Sequence, residues 1–136
     1  MTSYSTIAGV ILAGGSSLRM GGGDKGLADL SGRPMLAHVA ERMSLQVHRL
    51  ILNANGPPER FASLALDVVA DSHPPAPGDP REALGHGPLA GLLAAMDWAA
   101  GQPHPYRAIA TVTSDLPFLP LDLVQRLDAA VAASAD

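Results

Sequence analysis

The apolar positions of this chain change period several times, and each change marks an element. Ile7-Ala8-Gly9-Val10-Ile11-Leu12-Ala13 is an unbroken run of small and apolar residues closed by Gly14-Gly15, the pattern of a strand buried on both faces. From Pro34 onward Leu36, Val39, Ala40, Met43 and Val47 recur at helical spacing, and proline suits a first helical turn. His48-Arg49-Leu50-Ile51-Leu52-Asn53 reads as a second strand, stopped near Asn53 by the turn formers Asn-Ala-Asn-Gly-Pro-Pro. Asp67-Val68-Val69-Ala70 is a third, weaker strand ending at Asp71. Leu89, Leu92, Leu93 and Met96 mark a further helix. Ala108-Ile109-Ala110-Thr111-Val112-Thr113 is a strand that ends at Ser114-Asp115, and a final helix is expected just after Pro120.

Strands that alternate with helices pair in parallel through right-handed crossovers, which predicts an α/β sheet with helices on both faces. Such sheets bind ligands outside the carboxyl ends of their strands. Lys25, Asn53, Asp71 and Asp115 all lie at or after expected strand ends, so they are expected to converge on one edge. The segment from Ser72 to Gly87 is rich in Pro and Gly without an apolar period, and reads as a mobile loop within one domain, residues 1–136, rather than a linker. The Ala-rich stretch from Ala129 to Asp136 has no capping signal and is expected to fray.

Composition narrows the function. Hydrophobic residues make up 47% of the chain, charged residues 16% and aromatics only 4%, so the core must be built mainly from Ala, Leu and Val. A net charge of −4 gives no electrostatic footprint for a nucleic acid. Without cysteine there is no disulfide framework and no thiolate zinc site. No apolar run reaches the ~18 residues of a membrane span, and no basic-then-apolar leader opens the chain; a soluble cytoplasmic protein is expected. The one lysine, Lys25, falls inside the Gly-rich stretch from Gly14 to Gly26.

That stretch, Gly14-Gly15-Ser16-Ser17-Leu18-Arg19-Met20-Gly21-Gly22-Gly23-Asp24-Lys25-Gly26, carries the chemistry. Glycines let the backbone turn over a ligand with N–H groups pointing inward, a nest for anionic oxygens, and Arg19 and Lys25 add charge. The plainer alternative is a surface loop with two solvated cations; its position after a buried strand favours phosphate. Gly21, Gly23 and Gly26 match the dinucleotide-binding spacing but do not directly follow a strand, and Lys25 lacks the following Ser or Thr of a nucleotide-hydrolase P-loop. Asp115 is the candidate Mg²⁺ ligand, since Mg²⁺ is held by one or two carboxylates with substrate phosphates and water; the competing reading is a cap of the turn before Pro117. Gly87-Pro88-Leu89 opens a helix whose N–H groups either border a nucleotide or simply start the helix. His38, His48, His73, His86 and His104 show no metal spacing, and no Ser pairs with a base.

Leu-Ala-Gly-Gly-Ser-Ser-Leu-Arg-Met-Gly with the later Asp-Lys-Gly, Gly-Pro-Leu-Ala-Gly, and Ser-Asp-Leu-Pro-Phe-Leu together resemble the molybdenum cofactor guanylyltransferase family over nearly the whole chain, in order. The resemblance implies a three-layer α/β/α fold with a mostly parallel, Rossmann-like nucleotidyltransferase sheet. It implies transfer of GMP from GTP to molybdenum-carrying molybdopterin, with Mg²⁺, and transient contact with other molybdenum-cofactor proteins. Leu12, Ala13, Gly14 and Gly15 would border the guanine nucleotide, Lys25 would meet phosphate, Asn53 and Asp71 match GTP-contacting positions, and Asp115 matches the nucleotide and Mg²⁺ ligand. In-line attack at the α-phosphorus needs positioning and charge neutralisation, which Arg19, Lys25, Asp115 and the metal would supply. The loop from Ser72 to His86 is longer than the resemblance leads one to expect. Members also continue past the position of Asp136 with further strands and a second carboxylate-bearing motif, so the resemblance implies that the pterin half of the site is absent here, through truncation, supply in trans or impaired turnover. A molybdopterin cytidylyltransferase, a non-catalytic nucleotide-binding module and a structural α/β domain remain as alternatives.

Overall fold

A computed structural model describes residues 6–13, 27–55, 57–71 and 87–134. Four parallel strands form the sheet: β1 (Ile7–Leu12), β4 (Arg49–Asn53), β5 (Asp67–Val69) and β6 (Ala108–Thr113), in the order β5-β4-β1-β6. A two-stranded antiparallel ribbon, β2 (Asp29–Leu30) with β3 (Arg33–Pro34), leads into helix α1 (Met35–Ser44). A 3₁₀ helix (Pro58–Leu64) links β4 to β5, α2 (Gly87–Ala100) links β5 to β6, and α3 (Leu123–Ser134) follows.

The alternation of β1 sorts the helices into two layers. Ile7 and Ile11 point to one face, where Leu36, Val39, Ala40 and Met43 of α1, Phe61 of the 3₁₀ helix and Val124 of α3 complete a buried cluster. Val10 points to the other, against Ile51 and Ala95 of α2. These residues alternate because side chains of a strand project to opposite faces, and both faces of β1 are covered. The three-layer α/β/α arrangement expected from the sequence is therefore present.

Several boundaries move. The first helix ends at Ser44 rather than reaching Val47, yet Val47 stays buried because it packs beside Gly9 from the following turn. Pro34 is the residue before the helix and also pairs with Asp29. The stretch from Ala129 is helical to Ser134, and residues 135–136 of the expected fraying end lie outside the described residues. Its helix is secured at the start, where Gln46 Oε1 accepts from the backbone N–H of Val124 at 2.9 Å, and on one side, where Arg107 pairs with Asp128. In α2 Leu89, Leu93 and Met96 face outward, Leu89 at 79% exposure, and Leu92 is half-buried, while Gly91, Ala94 and Ala95 form the buried side. Small residues there let the helix approach the sheet closely. Of the expected mobile loop from Ser72 to Gly87, residues 72–86 lie outside the described residues, and its last position, Gly87, begins α2. No helix among the described residues is long and apolar enough to cross a membrane.

Candidate nucleotide site

The register aligns the carboxyl ends of all four strands. Leu12 is opposite Asn53 on one side and Thr113 on the other, and Asn53 is opposite Val69. The ladder runs one step further where the Ala13 N–H donates to the Asn53 carbonyl at 2.8 Å. Chain order reverses at β1: α1 crosses on one face and α2 on the other, which opens a crevice beyond the ends of β1 and β6.

Asn53 is buried, 3% exposed, and its side-chain amide ties β4 to β5 and the residues just after it. Its Nδ2 donates to the Val69 carbonyl at 3.1 Å and to Asp71 Oδ1 at 2.9 Å. The other carboxylate oxygen of Asp71 accepts from Asn55 Nδ2 at 3.2 Å, and Asn55 Oδ1 accepts from the Asp71 backbone N–H at 2.9 Å. Helix α2 presses on this assembly. A Cβ at Gly91 would stand 2.9 Å from Asn53 Cγ and 3.0 Å from Leu12 Cδ2, and nearer still to Asn53 Oδ1. The first turns of α2 thus sit over the ends of β1 and β4.

Asp115 lies just past the end of β6 and is exposed; Thr113 Oγ1 donates to its Oδ1 at 2.6 Å. The chain beyond it is fixed from α1 and the turn after it: Arg42 Nη1 donates to the Leu119 carbonyl at 3.0 Å, and Gln46 Nε2 donates to the Pro120 carbonyl at 2.9 Å. Among the described residues no three His, Cys, Asp or Glu side chains gather into a metal cluster. A hard divalent cation at this edge would rest on Asp115 together with phosphate oxygens, and an exposed carboxylate oriented by a hydroxyl has the right donor chemistry.

Of the residues singled out from the sequence, the structure brings Leu12, Ala13, Asn53, Asp71, Leu89 and Asp115 to the carboxyl edge or the start of α2. Gly87 and Pro88 form the first positions of that helix. Gly14, Gly15, Arg19 and Lys25 lie outside the described residues. Sequence reasoning missed Asn55, Gly91 and Thr113 as parts of the edge. Asn55 was hidden in a run of turn formers, and its partner Asp71 lies 16 residues away.

A doubly wound parallel sheet with polar side chains gathered at its switch point defines a class of α/β domain whose ligands enter at the strand ends. Within that class, the chain belongs to the MobA-like NTP transferase domain family, whose match covers residues 9–136. A molybdenum cofactor guanylyltransferase of Bradyrhizobium sp. (strain ORS 278) is 47% identical over 135 residues, covering 98% of this chain and 59% of that protein. One from Rhodopseudomonas palustris (strain BisB5) is 45% identical over 144 residues, covering 99% of this chain and 64% of that protein. The chain thus spans about three-fifths of the length of these curated relatives. Among solved structures, Rv0371c from Mycobacterium tuberculosis H37Rv superposes with a TM-score of 0.67 at 22% identity, over 97% of this chain and 63% of that one. A CMP:2-keto-3-deoxy-manno-octonic acid synthetase complexed with CTP gives 0.63 at 18%, over 97% of this chain and 48% of that one. These two show the shared fold.

Proposed function

We propose that this domain binds GTP in the crevice at the carboxyl ends of β1, β4, β5 and β6, and serves the transfer of GMP to molybdenum-carrying molybdopterin. The products are molybdopterin guanine dinucleotide and pyrophosphate. The observation that carries the reading is the common carboxyl edge of the sheet, along which Asp71, Asn53, Leu12 and Asp115 stand at or just beyond successive strand ends. Support comes from relatives named molybdenum cofactor guanylyltransferase at 45–47% identity.

The chemistry follows from what such an edge can do. Asp71, whose two oxygens are oriented by Asn53 and Asn55, is a carboxylate acceptor. Guanine offers it two adjacent N–H donors, N1–H and the exocyclic amine, whereas cytosine places an acceptor beside its amine. Leu12 and Ala13, at the end of β1, give the base an apolar border. A terminal phosphate oxygen of the pterin forms the new bond to the α-phosphorus as the α–β bridging bond breaks and pyrophosphate leaves. Arg19 and Lys25 are assigned to the triphosphate. Mg²⁺, held by Asp115 and phosphate oxygens, would supply charge neutralisation when bound.

The test is a thermal-shift and calorimetric series of GTP, CTP, ATP and UTP with Mg²⁺, followed by pyrophosphate release in the presence of molybdopterin. GTP is expected to raise the melting temperature most, and Asp115→Ala to abolish pyrophosphate release. A strong preference for CTP selects cytidylyl transfer. GTP binding without turnover selects a nucleotide-binding module, and no shift with any nucleotide removes the proposal.

A further inference from the structure

We infer that Asn55 is a positioning residue for the nucleotide: it acts through Asp71, fixing the carboxylate that faces the base. The inference rests on the GTP reading above.

The geometry is a two-point clasp. One Asn55 amide both accepts from the Asp71 backbone N–H at 2.9 Å and donates to Asp71 Oδ2 at 3.2 Å. The first bond sets where the backbone of residue 71 lies after β5; the second sets the rotation of its carboxylate. Asn53 Nδ2 holds Oδ1 from the other side at 2.9 Å, so the plane of the carboxylate is defined by two amides from β4 and the residue just beyond it. A carboxylate on the flank of an edge strand, three residues long in β5, would otherwise sample several rotamers, and each alternative misplaces an acceptor aimed at a ligand.

Asn55 is itself seated firmly. Arg60 Nη2 donates to the Asn55 carbonyl at 2.7 Å and Nη1 to the Pro57 carbonyl at 2.8 Å. The Arg60 guanidinium lies 4.4 Å from the ring centre of Phe61, and that ring is buried in the core. The clasp is thus continuous with the packed interior: Phe61 seats Arg60, Arg60 holds the turn, Asn55 on the turn holds Asp71. Neither the Asn55 amide nor Arg60 needs to touch the nucleotide. What they supply is pre-organisation, so that binding does not have to freeze the acceptor.

A double-mutant cycle reads this directly, using the full 136-residue chain and GTP with Mg²⁺ in calorimetry. Asn55→Ala is expected to weaken GTP binding about 10-fold in the parent background, but less than about 2-fold in an Asp71→Ala background, because a residue that works through a partner has nothing left to position. Asn55→Asp retains the acceptor for the Asp71 N–H but replaces the donor to Oδ2 by a carboxylate oxygen that repels it. It is expected to show the same dependence on Asp71, and it carries the test if Asn55→Ala does not fold. Melting temperatures of the nucleotide-free proteins separate general destabilisation from the effect on ligand. Equal losses in both backgrounds, or GTP affinity unchanged in either Asn55 variant, overturn the inference while leaving the GTP reading intact. Failure of the parent protein itself to bind GTP overturns both.

Discussion

Replacing Gly91 by alanine tests the closest contact at the candidate site. On its own the change favours the helix, since alanine in a helix interior is better than glycine by about 1 kcal/mol. Here the added Cβ would stand 2.9 Å from Asn53 Cγ and 3.0 Å from Leu12 Cδ2. Leu12 Cδ2 is a side-chain methyl that can give a little, but Asn53 is held by two hydrogen bonds and is almost fully buried. Relief requires either that α2 lift from the sheet or that Asn53 rotate. Overpacking of this kind costs about 1–3 kcal/mol, and loss of the Asn53 bonds adds about 1 kcal/mol each. The net expectation is a destabilisation of roughly 1–4 kcal/mol, read as a lowered urea midpoint with unchanged slope. For a chain of this size the melting temperature should fall by about 3–5 °C per kcal/mol. GTP affinity should fall further than stability explains, because Asn53 and Asp71 move together. An alanine variant as stable as the parent, or more so, would refute the proposed approach of α2 to β4.

Gln46→Leu should destabilise the fold by about 1–3 kcal/mol in chemical denaturation, since it leaves the buried Val124 N–H without its acceptor; a change within error would show that water serves as well. Asp71→Asn keeps the size of the side chain but puts a donor where guanine donates, so calorimetry should show the GTP preference over CTP shrinking. The hydrogen bond from Arg33, and then its charge, hold the Glu41 carboxyl below the ordinary 4.5, and Arg107 likewise holds Asp128 below 3.8. Because folding lowers both, these pairs support the native state above the ordinary carboxylate range, and that support fades as the pH falls through the lowered values. Carbon-detected NMR titration should show both shifts, with Arg33→Gln returning Glu41 toward its ordinary value.

The four main strands and three helices were legible because each carries a continuous signal over several residues. The run from Ile7 to Ala13 could be read as doubly buried without knowing its neighbours, and Asn53, Asp71 and Asp115 could be placed on one edge because parallel strands all end on the same side. The ribbon at Asp29–Pro34 and the 3₁₀ helix at Pro58–Leu64 escaped notice. Two-residue strands have no period, and a 3₁₀ turn repeats too briefly to differ from a loop. The role of Gly91 was equally hidden. Glycine at a helix start reads as local punctuation, while the real constraint comes from a side chain on β4, which no local pattern reveals. Leu89 and Met96 marked the right helix but not its buried side, because the sheet is met by alanines and glycine instead.

The position of β1 at the centre of the sheet also bears on how the molecule is made. Ala8 pairs with Arg49 on one side and with Ile109 on the other, so β1 gains its second neighbour only through a pairing of long sequence separation. The cleft at its end therefore cannot close until β6, about a hundred residues further along the chain, has joined the sheet. Until then an apolar strand keeps one open edge, and pairing across so long a stretch of chain carries a larger loop-closure cost than pairing between neighbouring elements.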